Sequence, residues 1–308
     1  MRKSILFPLI LSLLFFTGCD QESPMEHEQY PPIVYIVGSA NKIIDKELNI
    51  GYDQDTVCLS IAVSGSLSLP QDVTATLEEC PDEIDRYNSR ELSAEARHYR
   101  NLSPDIYEYP SNQVTVKAGN VYELFPIYVK PATLHCDSLY MLSFRLSDTS
   151  AYTVTEEDTV ALVRLNLVNE FSGSYTMDGM LRNTEDPTDS LTYKMPRTLM
   201  ATDNGRTVRM FHYNNEWTEG SGNDYRQSHT FKITVNEDNT LSMATWNEFE
   251  LIDGGGVYVP EYEVYDLWYT YRQDDVIWRA EGFLYKSRDT DAEQREIEDW
   301  IEEQRASR

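Results

Sequence analysis

The sequence predicts an all-β protein built as two β domains in tandem and closed by a short C-terminal helix. Three observations support this. Apolar and polar residues alternate with period two over most of residues 33–168, which places successive side chains on opposite faces of a sheet. Beyond Phe171 further alternating runs are separated by polar clusters such as Asn236-Glu237-Asp238-Asn239 and Gln273-Asp274-Asp275, the chemistry of hairpin turns. Only Pro81–Ala96 and Thr290–Arg308 carry helical spacing. With 308 residues, 41% of them hydrophobic, the chain can bury cores in two domains rather than one.

Residues 1–18 read as a signal peptide. Arg2 and Lys3 precede an apolar run from Ile5 to Phe16, which is shorter than the ~20 residues a membrane span requires. The run ends in Thr17-Gly18-Cys19, the pattern of a bacterial lipoprotein signal, in which the cysteine is acylated and becomes the mature N-terminus. Acyl chains contribute about 0.8 kcal/mol per buried methylene, so two or more hold a domain firmly on a bilayer. Acylated Cys19 therefore makes the lipid bilayer an expected partner. Residues 19–32 are acidic and contain three prolines, the composition of an extended tether. Acids just after the cysteine resemble the surface-export signal of Bacteroidetes lipoproteins. The expected location is the outer membrane, lipid-anchored and facing the exterior.

Residues 33–168 form the first domain, expected to be an antiparallel sandwich. Val57, Leu59, Ile61 and Val63 alternate with Cys58, Ser60 and Ala62, and Val73, Ala75 and Leu77 with Thr74 and Thr76. Tyr140, Leu142, Phe144 and Leu146 repeat the pattern. Val34-Tyr35-Ile36, Tyr87-Asn88, Leu102-Ser103-Pro104 before Tyr107, and Val114-Thr115-Val116-Lys117-Ala118-Gly119 resemble the N-terminal domain of a group of Bacteroidetes surface lipoproteins, the domain-of-unknown-function 1735 type. The resemblance implies an immunoglobulin-like β-sandwich and an association with polysaccharide-utilisation systems. It brings no catalytic residues.

Residues 169–289 form the second domain, which contains all five tryptophans. Strands are expected over Val208–Tyr213, Thr230–Val235, Leu241–Trp246, Val264–Arg272 and Val276–Tyr285. This meander is similar to the companion domain-of-unknown-function 4361 type of the same lipoproteins, implying a calycin/lipocalin-like antiparallel β-barrel. Gly173-Ser174-Tyr175 stands where lipocalins carry Gly-x-Trp. Residues 290–308 form the tail, with a Thr290–Glu293 capping box and an apolar face of Ile297, Trp300 and Ile301.

The formal charge of −26 becomes −28 once Arg2 and Lys3 leave with the signal peptide. Such a surface repels phosphate backbones, which argues against a nucleic-acid partner, while neutral carbohydrate meets no such barrier. Cys58, Cys80 and Cys136 are odd in number and lack CxxC spacing, and the five histidines are scattered. No metal site and no cofactor are expected, and the cysteines are assigned to packing with room for one bridge. Sugar rings stack on exposed aromatic side chains beside amide and carboxylate partners. Trp217, Tyr213, Tyr225 and Asn215, in or beside the polar, Gly-containing segment 214–224, are the candidate ligand-binding residues, with Tyr258 beside the Gly254–Gly256 run expected to border the same cleft. Trp246, Trp268 and Trp278 fall within strands and are expected in the core. With 52 acids, no spacing singles out a carboxylate pair for hydrolysis. The expectation is a non-enzymatic accessory protein that binds polysaccharide and works with outer-membrane glycan importer components. The rivals are a structural or adhesion protein that grips a protein partner and a glycan-active enzyme of unrecognised type.

Overall fold

The computed structural model describes residues 28–39, 43–154, 159–202, 205–212 and 226–307. Its first domain packs two sheets around one core. The strands in chain order are β1 (Ile33–Ile36), β2 (Ile43–Asn49), β3 (Asp55–Val63), β4 (Val73–Glu79), β5 (Tyr99–Asn101), β6 (Tyr107–Glu108), β7 (Gln113–Val116), β8 (Tyr122–Val129), β9 (Leu139–Thr149), β10 (Thr153–Val154) and β11 (Val160–Val168). One sheet has the order β10-β1-β3-β8-β6 and the other β2-β11-β9-β4-β7. The alternating residues Val57, Leu59, Ile61, Phe125, Ile127, Leu142, Phe144 and Leu146 meet between them. The sandwich is mixed rather than wholly antiparallel, because β1–β10, β2–β11 and β5–β9 pair in parallel. Sequence alternation reports which face is buried and carries no information on strand direction.

The helical stretch after β4 is α1 (Asp82–Glu91). Its Asn88 is buried and acts as a surrogate backbone: Nδ2 donates to the Tyr99 carbonyl at 2.8 Å, and Oδ1 accepts from the Tyr99 amide at 2.9 Å. That pair ties the helix to β5, with Tyr87 edge-on to Tyr99 at 5.9 Å. Gly119 ends the Val114–Gly119 motif at φ +83°, a conformation that favours glycine. No disulfide joins Cys58, Cys80 and Cys136 among the described residues, and burial raises the pKa of Cys80.

The second domain is an eight-stranded antiparallel sheet rolled into a nearly closed barrel. Its strands are β12 (Gly173–Asn183), β13 (Ser190–Ala201), β14 (Thr207–Phe211), β15 (Thr230–Val235), β16 (Leu241–Thr245), β17 (Leu251–Val259), β18 (Val264–Gln273) and β19 (Val276–Tyr285), in the order β16-β15-β14-β13-β12-β19-β18-β17. A bridge between Thr240 and Val257, with the Tyr258 amide donating to the Asn239 carbonyl at 2.8 Å, draws the two edges together. Closure removes the unpaired edges that an open sheet would expose. The last helix, α2 (Asp291–Ala306), starts as predicted: the Thr290 hydroxyl accepts from the Glu293 amide at 3.3 Å and donates to the Glu293 carboxylate at 2.8 Å. Ile297 and Ile301 bury against Val264, Phe283 and Tyr285 on the outer wall of the barrel, and Trp300 packs beside them.

The two domains share a polar and aromatic seam. Arg209 on β14 is almost wholly buried, and its Nη1 donates to Asp137 Oδ1 of the first domain at 2.5 Å. Its guanidinium lies 5.2 Å from the Trp246 ring, which stacks on His135 at 5.7 Å. Asn169 Nδ2 donates to the Thr207 carbonyl at 2.9 Å, and Ala201 joins the core of the first domain. Trp246 is therefore an interdomain residue and not a barrel-core residue.

Candidate functional site

Phe171, Tyr175, Tyr258 and Tyr265 form an aromatic plug in the barrel. Tyr175 and Tyr265 both donate to the Phe171 carbonyl, at 3.0 and 2.9 Å, so two buried hydroxyls are satisfied by one acceptor. Tyr258 is buried in the same plug, edge-on to Phe171 at 5.1 Å and to Tyr265 at 5.0 Å. Burial pushes its phenol up to about 12. Its ring thus fills the core and offers no exposed face to a sugar. The Gly254–Gly256 run is likewise a strand, β17, and not a loop. Trp217, Tyr213, Tyr225 and Asn215 lie outside the described residues, as do Cys19 and the signal segment.

Period two places Tyr265, Leu267, Tyr269 and Tyr271 of β18 inside the barrel, and all four are buried. Trp268 lies between them in sequence and so faces outward, partly exposed. Trp278 has the opposite parity on β19 and packs on the barrel core, as expected. The three predicted core tryptophans therefore have three different fates, which follow from parity and from the neighbouring domain.

Around Trp268 the outer wall forms a hollow of about 340 Å³ lined by Gly256, Val257, Asp266, Trp268, Arg279 and Glu281. The glycines make it. Gly256 has φ +145°, and a β-carbon there would fall 2.0 Å from the Asp266 carbonyl oxygen, so the two strands approach closely only with glycine. A β-carbon on Gly255 would sit 3.8 Å from the Trp268 indole, so this position leaves the ring free of a neighbouring side chain. The Arg279 guanidinium lies 4.2 Å from the indole centroid, and its Nε donates to Glu281 Oε2 at 3.1 Å. Stacking and ion pairing together fix the orientation of both charged groups.

A second hollow of about 340 Å³ adjoins it across Glu281, bounded by Met180, Thr192, Phe283 and Arg305. Arg305 of α2 pairs with Asp178 of β12, so the helix walls one side. The two hollows together cross β17-β18-β19-β12-β13, four interstrand gaps, or about 19 Å. The result is an open trough with one indole, carboxylates and guanidinium donors. A larger cleft of about 630 Å³ lies on the first domain near Tyr35, Leu67, Val121 and Tyr152. Its one carboxylate, Glu28, is already used by the Ser66 amide and hydroxyl, both at 2.6 Å.

Among the described residues no three His, Cys, Asp or Glu side chains gather as a metal site, and no helix is long and apolar enough to cross a membrane. Two family models match in tandem, one described as an N-terminal domain over residues 28–153 and one as a C-terminal domain over residues 159–285. The chain is thus a two-domain protein that matches these two models one after the other. Both of its domains recur together in solved structures. A Bacteroides ovatus protein of unknown function is 20% identical, with 83% of this chain and 94% of that chain covered at a TM-score of 0.59. A multidomain Bacteroides ovatus protein including DUF1735 is 21% identical over the same shares, at 0.58. An auxiliary nutrient binding protein from Bacteroides thetaiotaomicron is 14% identical, covering 79% of this chain and 90% of that one, at 0.54. At these identities the likeness concerns the two-domain fold. No curated protein matches the sequence.

Proposed function

We propose that the protein is a non-catalytic accessory glycan-binding lipoprotein, held on the outer surface of the outer membrane by acylated Cys19. In this reading the domains are of the domain-of-unknown-function 1735 and 4361 types, the sandwich is a spacer, and the barrel presents the binding face. The observation that carries the proposal is the trough at Trp268: glycines clear a partly exposed indole on a rigid sheet, and Asp266, Glu281 and Arg279 surround it. Indoles stack on the C–H faces of sugar rings, while carboxylates accept and guanidinium groups donate to hydroxyls. The acidic surface suits a neutral polysaccharide better than an anionic polymer. A shared fold with an auxiliary nutrient binding protein supports the same direction.

The test is affinity electrophoresis and calorimetry of residues 20–308 against a panel of soluble neutral polysaccharides. Retardation by at least one glycan, weakened about tenfold or more by Trp268→Ala, is expected, since one base–aromatic or sugar–aromatic stack is worth about 1–3 kcal/mol. Absence of binding across the panel, or binding indifferent to Trp268→Ala, rejects this trough as the site. Substrate cleavage lost on Glu281→Gln would convert the reading to an enzyme.

A further inference from the structure

The barrel interior contains a guanidinium with no counter-charge among the described residues. Arg197 faces inward on β13, paired with Tyr175 of β12, and one inward pair beyond Leu199–Met210 brings it opposite His212. It is 4% exposed. Among the described residues its Nη1 donates to the Pro196 carbonyl at 3.1 Å, while the buried Nε has no hydrogen-bond partner. Arg209 and Arg164 each pair with a carboxylate, Asp137 and Asp45, yet no carboxylate of the described residues pairs with Arg197. Burial lowers the Arg197 pKa, opposed only by the nearby Tyr269 and Tyr193 phenols. Desolvating an unpaired charge costs several kcal/mol, and this chain has 52 acids from which a partner could have been drawn.

The surroundings are aromatic and polar. The Arg197 guanidinium lies 5.7 Å from the Tyr193 ring, whose hydroxyl donates to the Met177 thioether at 3.6 Å. His212 stays neutral beside it and shares a hydrogen bond with the Tyr269 hydroxyl at 2.9 Å. The result is one cation, a phenol and aromatic walls, with the Nε of the cation unpartnered among the described residues. A planar two-oxygen anion matches the guanidinium fork through paired N–H donation.

We propose that the barrel interior binds the carboxylate group of a small ligand, with Arg197 donating to both oxygens and the Tyr193 hydroxyl donating alongside. This site is separate from the trough at Trp268 and does not depend on it. If glycans are the cargo, the carboxylate is that of a uronic acid.

The test titrates the full mature chain at constant ionic strength with sodium glucuronate, sodium acetate and, as the neutral match, glucose. Binding is followed by calorimetry and by the Arg197 Nε–H nuclear magnetic resonance signal of the unmutated protein. Binding of glucuronate or acetate but not glucose, a shift of the Arg197 signal, and an affinity loss of tenfold or more in Arg197→Met are expected. Failure of both carboxylates to bind, binding of glucose equal to glucuronate, or binding that leaves the Arg197 signal unmoved overturns the proposal. If Arg197→Met does not fold, the signal of the unmutated protein still decides. Trp268→Ala should retain glucuronate binding, so loss of polysaccharide retention alone would remove the trough and leave this site standing.

Discussion

His212 gives a direct energetic test of the barrel interior. Its ring packs against Tyr271 at 4.3 Å and Phe249 at 5.6 Å and shares a hydrogen bond with Tyr269. Burial, and then the charges of Arg197 and His229, push its pKa from 6.5 down to about 3. In the unfolded chain the imidazole takes up its proton near the ordinary value, so between pH 6.5 and 3 the unfolded state binds more protons. Stability is therefore whole above pH 6.5 and falls as the pH drops toward the folded value. One pKa unit corresponds to about 1.4 kcal/mol, so lowering the pH from 7.5 to 4.5 should remove about 2–3 kcal/mol through this residue alone. His212→Phe keeps an aromatic ring and cannot protonate. At pH 7.5 the variant should be less stable by about 1–3 kcal/mol, because the buried Tyr269 hydroxyl loses a partner. At pH 4.5 that deficit should vanish or reverse. Urea unfolding across this range, followed by tryptophan fluorescence, reads the barrel, because every tryptophan follows Phe171. Carboxylates titrate alike in both proteins and cancel in the difference. A stability difference that is constant from pH 7.5 to 4.5 would refute the reasoning.

Two further outcomes test the seam and the helix. Asp137→Ala should cost about 2–3 kcal/mol, below the usual 3–5 for breaking a buried pair because Asp137 is 37% exposed. It should also separate the denaturant transitions of the two domains, which resolved melting by circular dichroism would show; a single unchanged transition would contradict it. Ile301→Ala should cost about 3 kcal/mol by opening a cavity under α2, and should raise hydrogen exchange in α2 before the barrel strands. Unchanged protection of α2 would show that Ile301 does not hold the helix down.

Much of the architecture was legible because alternation and turn chemistry are local. The expected strands Thr230–Val235 and Val276–Tyr285 coincide with β15 and β19, and the Thr290 cap begins α2 as read. Alternation along β18 already implied that Trp268 opposes Tyr265, Leu267, Tyr269 and Tyr271. The glycine run misled because glycine marks both turns and strands that approach a neighbour closely; only the Asp266 carbonyl, 2.0 Å from a β-carbon placed on Gly256, tells the two apart. Arg197 gave no signal either, since one arginine in an alternating strand looks like an ordinary surface charge.

The sequence by itself determined the all-β class, the alternating faces and the capped tail, because each rests on residues near one another in the chain. Tertiary structure decided what no local pattern contains. It set three strand pairs parallel, turned Trp246 toward His135 of the other domain, cleared the wall beside Trp268 and buried an arginine in the barrel with its Nε unpartnered among the described residues. Those outcomes depend on which distant strands pair and on the water they exclude, and burial acquires its energetic meaning only once the sheet has closed.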